Sequence, residues 1–269
     1  MKCKEYHTNK GNIIYWTNDF VEGRRTLVFL PGLTADHRLF DRQVAYFEDR
    51  CNVLVWDAPG HGASRPFVLD FSLADKAKWL HDIVLREGIE RPVVVGKSMG
   101  GYVAQCYMQL FPYEVEAFVS IDSAPLQRKY MTGIEITLLK HTYWMYRLYP
   151  WKALLRDGAK GCAESDYGRQ LMHDMMLNYR PKEYCLLADH GYKMLAEAVL
   201  ANLPYEVDCS ALLICGEKDK AGSAKRYNLR WAAQTGFPLV MIPHAGHNAN
   251  TDQPEMVNNL IDDIINNLQ

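Results

Sequence analysis

Short unbroken apolar runs recur along this chain, and between them lie segments whose apolar positions repeat with helical spacing. Thr26-Leu27-Val28-Phe29-Leu30, Pro92-Val93-Val94-Val95, Phe118-Val119-Ser120-Ile121, Ala211-Leu212-Leu213-Ile214-Cys215 and Pro238-Leu239-Val240-Met241-Ile242 read as buried strands. Two further strands are predicted at about Lys4–His7 and Asn12–Thr17, and another near Val53. Helical spacing separates them near Phe40, Leu73 and Val103. A last helix is predicted from about Asp252, with Met256, Val257, Leu260, Ile261, Ile264 and Ile265 along it. Strand–helix alternation of this kind predicts a mostly parallel α/β sheet covered on both faces.

The alternation stops after Ile121-Asp122-Ser123-Ala124-Pro125. From 126 to 204 the pattern is helical without a strand, and it is dense in aromatic residues and methionine. Tyr143, Trp144, Met145, Tyr146, Tyr149, Trp151, Met172, Met175, Met176 and Tyr179 all fall there. The expected organisation is a core of residues 1–125 and 205–269 with a helical insertion at 126–204. Most of these aromatic and Met side chains are expected to pack the insertion's own small core, and a few to line a pocket.

Gly96-Lys97-Ser98-Met99-Gly100-Gly101 lies between a predicted strand and a predicted helix. Gly-x-Ser-x-Gly in that setting describes a nucleophile elbow. Lifting a serine hydroxyl clear of the sheet edge requires a sharp, strained turn. Only small residues fit two positions before and two after it, and both are glycine here. The turn sets a helix N-terminus beneath the serine, where backbone N–H groups stabilise a negative oxygen.

Three other loops carry matching chemistry. His247 follows a late strand in Pro243-His244-Ala245-Gly246-His247-Asn248, and a neutral imidazole there suits a base for Ser98. His244 reads as an ordinary surface or packed residue. Asp219 follows the strand 211–215 and would hold the imidazole tautomer. Glu217 and Asp122 are alternatives for that acid. After the strand 26–30, Pro31-Gly32-Leu33-Thr34 offers the backbone N–H of Leu33, which with that of Met99 would form an oxyanion hole.

With these residues the chain resembles the α/β-hydrolase superfamily in its form with an inserted cap, over nearly its whole length. Trp56-Asp57-Ala58-Pro59-Gly60-His61-Gly62-Ala63-Ser64 is similar to the family's Asp-x-x-Gly-His-Gly-x-Ser segment, and Gly96 to Gly101 to its Gly-His-Ser-Met-Gly-Gly. Leu30-Pro31-Gly32 stands where many members carry His-Gly. The resemblance implies an eight-stranded, mostly parallel, doubly wound sheet, with the order Ser98, Asp219, His247 and residues 126–204 as the cap. Two departures are Pro31, which lacks an N–H, and Lys97, which replaces histidine and by strand alternation points away from Ser98.

Composition narrows the class further. The 269 residues are 48% hydrophobic and 23% charged, as for a globular enzyme. Thirty Lys and Arg against 32 Asp and Glu give a net charge of −2, without the basic excess of a nucleic-acid binder. No apolar run approaches the ~18 residues of a membrane span, and the first residues carry no apolar signal core. Seven cysteines without metal-type spacing are expected as free thiols in a cytoplasmic protein. No cofactor and no metal are expected.

The expected activity is acyl transfer to water on a small-molecule ester of small or medium acyl chain. An aspartate at the elbow, used for epoxide and halide chemistry in this superfamily, is absent. Carbon–carbon bond hydrolysis, or lactone and thioester cleavage, would use the same triad. The first would need a cation such as Arg147, Arg156, Arg169 or Arg180 gripping a carboxylate. A non-hydrolytic ligand sensor is the reading from another class.

Overall fold

Eight strands form one sheet in the computed structural model, which describes residues 1–268. They are β1 (Lys2–Thr8), β2 (Gly11–Thr17), β3 (Thr26–Leu30), β4 (Asn52–Trp56), β5 (Val93–Lys97), β6 (Ala117–Ile121), β7 (Ser210–Gly216) and β8 (Leu239–Ile242). Their order is β1-β2-β4-β3-β5-β6-β7-β8. β1 and β2 are antiparallel to their neighbours, and every pair from β4 to β8 is parallel. The mostly parallel sheet expected from the alternation is present.

The helices are α1 (Asp41–Phe47), α2 (Leu73–Arg86), α3 (Met99–Leu110), α4 (Gly133–Leu139), α5 (Thr142–Leu148), α6 (Trp151–Cys162), α7 (Asp166–Leu177), α8 (Pro181–Ala201), α9 (Ala224–Thr235), α10 (Ala249–Asp252) and α11 (Pro254–Asn266). The central strands are near-continuous apolar runs because both faces are covered. On one face Val28, Leu30, Val94 and Phe118 meet Leu80 of α2, Val103 of α3 and Trp231 of α9. On the other, Leu27, Phe29, Val95 and Val119 meet Phe47 of α1 and Val257 and Ile261 of α11. Each such side chain taken fully from water stabilises the fold by about 1.5–3 kcal/mol.

The last helix, α11, starts at Pro254 after the short α10, close to its expected start, but Met256 is exposed. Val257, Ile261 and Ile265, spaced by four, form the buried stripe, which leaves Met256 one step around the helix.

Between β6 and β7 the described residues hold α4 to α8 and a 3-10 turn at Arg128–Tyr130, with no strand. α4 and α5 pack on α8, and α6 packs on α7. Met172, Met175, Met176 and Tyr179 are buried, whereas Trp144, Met145 and Tyr149 are exposed. Tyr146 and Trp151 are half-buried and pack against Tyr184, so within α5 it is Trp144 and Met145 that leave the segment's core.

Register fixes the functional edge. Leu30 pairs with Gly96, Ile121 with Ile214, and Gly216 with Ile242. The loops leaving β3, β5, β6, β7 and β8 thus emerge side by side at the carboxyl ends of parallel strands, where open α/β sheets bind ligands.

Candidate active site

Ser98 joins β5 to α3 with φ 51° and ψ −116°, outside the regions an L-residue prefers. Such strain costs on the order of 1–3 kcal/mol and persists only where the surroundings enforce it. Here they do. A Cβ on Gly100 would lie 1.9 Å from the Leu30 carbonyl oxygen, and one on Gly96 2.6 Å from the Gly101 Cα. The Ser98 N–H donates to the Ile121 carbonyl at 2.9 Å, and Ser123 Oγ donates to the Ser98 carbonyl at 2.7 Å.

His247 Nε2 lies 3.0 Å from Ser98 Oγ. Its Nδ1 lies 3.0 Å from Asp219 Oδ2, and Asp219 Oδ1 accepts from the Ala221 N–H at 2.8 Å. The Asp219 carboxylate is fully buried and the His247 side chain is 12% exposed. This geometry fixes the tautomer with the proton on Nδ1, leaving the Nε2 lone pair towards the serine. Burial opposes charge on Asp219, but its bonds to His247 and Ala221 outweigh that and hold it below the usual carboxylate range. Burial and the nearby Lys97 cation pull His247 below the ordinary imidazole value, against the opposing pull of Asp219.

The two other candidate acids sit elsewhere. Asp122 accepts from the Gly216 N–H at 2.7 Å and the Ala249 N–H at 2.8 Å. Burial and the charge of Asp219 push its carboxyl well up. Glu217 accepts from the exposed His244 backbone N–H at 3.3 Å. Neither is bonded to His247.

The Leu33 and Met99 N–H groups donate to no backbone or side-chain acceptor among the described residues. The loop carrying Leu33 can press against the elbow because Gly32 has no side chain: a Cβ there would lie 3.2 Å from Ser98 Cβ. The Asp57–Ser64 segment is a tied loop. Asp57 Oδ2 accepts from the Ala63 N–H at 2.6 Å, and Ser64 Oγ donates to the Asp57 carbonyl at 2.7 Å.

Lys97 is buried, with its alkyl chain against Gly32. Burial lowers its ammonium pKa, while Cys162, Asp122, Asp219 and Asp252 act to raise it. Asp252, which the sequence marks only as the start of a helix, belongs to the site's frame. Its carboxylate accepts from the N–H groups of Glu164 at 2.9 Å, Ser165 at 2.8 Å and Gly246 at 2.8 Å. With the Asn248 N–H donating to the Cys162 carbonyl at 2.7 Å, it ties the α6–α7 link to both sides of His247.

A cavity of about 330 Å³ opens over Ser98, walled by Tyr102 of α3, Leu138 and Leu139 of α4, Tyr192 and Leu195 of α8, and Tyr227 of α9. None of the aromatic and Met residues noted at 143–179 reaches it. Arg147, Arg156, Arg169 and Arg180 are not in its wall either. The charged side chain at its rim is Glu135, which accepts from Arg226 at 2.6 Å and Ser223 Oγ at 2.9 Å. Burial opposes its charge, yet bonds from Tyr227, Thr132 and Ser223 pull its pKa to about 2.

Two clusters have the residue types of a metal site, but their donors are spent. Asp122 and Asp219 accept the bonds given above, and burial keeps the neighbouring Cys215 thiol protonated. In Asp36, His37 and Asp57, the carboxylates already hold Arg38, His37 and Ala63.

A model of the alpha/beta hydrolase family matches residues 27–260. The chain belongs to that family. The "Putative carbamate hydrolase RutD" of Shigella flexneri is 24% identical over 249 residues, covering 87% of this hydrolase and 89% of that protein. Among solved structures, a hydrolase from Pseudomonas aeruginosa PA01 superposes with a TM-score of 0.79 at 17% identity, covering 98% of both chains. The enol-lactonase of Burkholderia xenovorans LB400 gives 0.72 at 19% identity, over 98% of this hydrolase and 100% of that chain. At such identities the structural likeness speaks for the fold. No helix among the described residues is long and apolar enough to cross a membrane.

Proposed function

We propose that this hydrolase cleaves carboxylic esters of small or medium apolar acyl groups through an acyl-enzyme on Ser98. The reading rests above all on one observation: His247 lies 3.0 Å from Ser98 Oγ and 3.0 Å from Asp219 at a strained elbow. Residues 126–204 act as the cap that bounds the acyl pocket.

Neutral His247 takes the Ser98 proton at Nε2 as Oγ attacks the carbonyl carbon. Asp219 steadies the imidazolium that forms without itself taking the proton. The N–H groups of Leu33 and Met99 receive the oxyanion. Collapse expels the alcohol, protonated by His247, and leaves the acyl group on Oγ. A water deprotonated by His247 then attacks, and departure of Ser98 releases the acid. Lactones, thioesters and carbamates present the same kind of carbonyl. Carbon–carbon cleavage beside a carboxylate is less well served, because the charged rim group is Glu135 and no arginine from the helical segment lines the cavity. A sensor has no use for a base aligned on a strained serine.

A fluorophosphonate probe tests the reading. It should label the protein stoichiometrically, and Ser98→Ala should abolish both labelling and turnover of a chromogenic ester series with the fold retained. Labelling that persists in the variant would overturn it.

A further inference from the structure

Six of the large apolar side chains this protein leaves exposed fall in one short stretch: Ile134, Leu138, Trp144, Met145, Leu148 and Tyr149. Ile134 and Leu138 are spaced by four on α4, and Trp144 and Leu148 by four on α5, so each helix turns an apolar stripe outward. Both helices pack on α8 with their other faces, through Ile136 and Thr142 among others. Ile134 is 76% exposed, Trp144 64% and Leu148 79%. Scattered single exposures need no explanation, but six large apolar side chains exposed within one short stretch mark a contact surface.

Charge says what the ridge meets. From Arg128 to Lys152 the chain carries five Lys and Arg, and its single acid, Glu135, is already held by Arg226 and Ser223. Beside Leu148 and Tyr149 opens a groove of about 500 Å³ whose charged lining is Arg147, Arg180 and Lys182, with no carboxylate. An apolar ridge carrying Trp and Tyr, flanked by unopposed cations, is the composition of a segment that lies in a lipid headgroup region. A protein surface without carboxylates would be held by the exposed apolar side chains alone and would leave three clustered cations unanswered.

We propose that α4 and α5 dock on an anionic lipid surface, with Trp144 and Leu148 entering the acyl boundary and Arg147, Arg180 and Lys182 taking headgroup phosphates. Leu138 belongs both to the exposed ridge and to the wall of the Ser98 cavity. The docked face therefore adjoins the cavity, which matches amphiphilic acyl substrates drawn from that surface. That delivery rests on the hydrolase reading; attachment to the surface does not.

The test uses full-length Ser98→Ala protein, so that vesicles are not consumed and binding is read apart from catalysis. Vesicles of equal parts phosphatidylcholine and phosphatidylglycerol should pellet the protein and blue-shift its Trp emission. Phosphatidylcholine alone should bind about tenfold more weakly, and raised salt should release the protein. Trp144→Ser with Leu148→Ser, or Arg147→Glu alone, should each weaken binding by about tenfold. Trp144→Ser with Leu148→Ser in the Ser98 protein should keep its turnover of a soluble short-chain ester, showing that the fold survives. Failure of the Ser98→Ala protein to bind the mixed vesicles overturns the proposal, as does equal binding by the ridge variant. Saturation by inorganic phosphate without vesicle binding would make the groove a free-anion site instead. A dimer lost in the ridge variant, without vesicle binding, would make the ridge a contact between copies. Either result overturns docking.

Discussion

Asp122 holds the Ala249 N–H at 2.8 Å, two residues beyond His247, while its other oxygen holds Gly216 at 2.7 Å, three residues before Asp219. One buried carboxylate thus braces the two loops that bring acid and histidine together. Asp219→Asn should lower turnover by up to about four orders of magnitude with little change in substrate binding, by favouring the wrong imidazole tautomer. Asp122→Asn turns one acceptor into a donor facing an N–H. It should cost about 1–3 kcal/mol of stability and a smaller part of turnover. Steady-state kinetics with denaturant melts on both variants separate the roles; a larger turnover loss in Asp122→Asn would reverse them.

The pH profile should carry the mark of Lys97. The proposed base must work neutral, and burial with the Lys97 charge holds His247 below its ordinary 6.5. Ester turnover should persist as pH falls past that value and drop only on further acidification. Lys97→Met removes the cation, so His247 rises and the acid limb moves to higher pH. The stability that neutral His247 contributes has the same sign. It is fully present above the unfolded value and is lost as pH falls through the lower folded one. A pH–rate profile of kcat/KM for both proteins checks the direction.

Substrate charge should be read by Glu135. Its carboxylate stays ionised at the cavity rim under the pull of Thr132, Ser223 and Tyr227. Esters bearing an anion in the acyl group should be poor substrates beside neutral ones of equal length. Glu135→Gln also leaves its ion-pair partner Arg226 unopposed beside the rim, so it should narrow that gap by about tenfold. The ratio of kcat/KM values for a matched neutral and anionic pair gives the answer. An unchanged ratio would remove Glu135 from selectivity.

The elbow should tolerate no side chain at position 100. A Cβ there meets the Leu30 carbonyl oxygen at 1.9 Å, which is backbone and cannot swing aside. Gly100→Ala should destabilise the protein by about 3 kcal/mol or more, visible as a large fall in melting temperature. Gly161→Ala, with nothing within 4 Å of the new atom, is the matched control in a helix.

Much of this was legible before any coordinates, for a local reason. Each strand of a doubly wound sheet is a short apolar run, and Ser98, Asp219 and His247 each lie on the loop directly after one. Position along the chain therefore translated into position at one sheet edge. Contacts between distant segments had no such mark. Asp252 meets Ser165 across 87 residues, and Glu135 meets Ser223 across 88, with nothing in either neighbourhood to announce the pair. Aromatic density misled for a related reason. A few of the aromatic and Met residues from Tyr143 to Tyr179 are expected at the pocket and none lines it, because which way a helix turns depends on its partner. Packing on α8 turned Trp144 and Leu148 outward and left the cavity wall to Leu138, Leu139, Tyr192 and Leu195.

The ties of the helical segment are unequal at α6–α7 and at α4. At α6–α7, buried Asp252 and the Cys162 carbonyl clamp the chain to the residues on either side of His247. At α4, the polar link to the sheet domain is Glu135 with Ser223 and Arg226, on the surface. The doorway and the machinery are thus fastened by different bolts. Undoing the outer one should widen the entrance to bulky substrate while the imidazole keeps its aim on the serine.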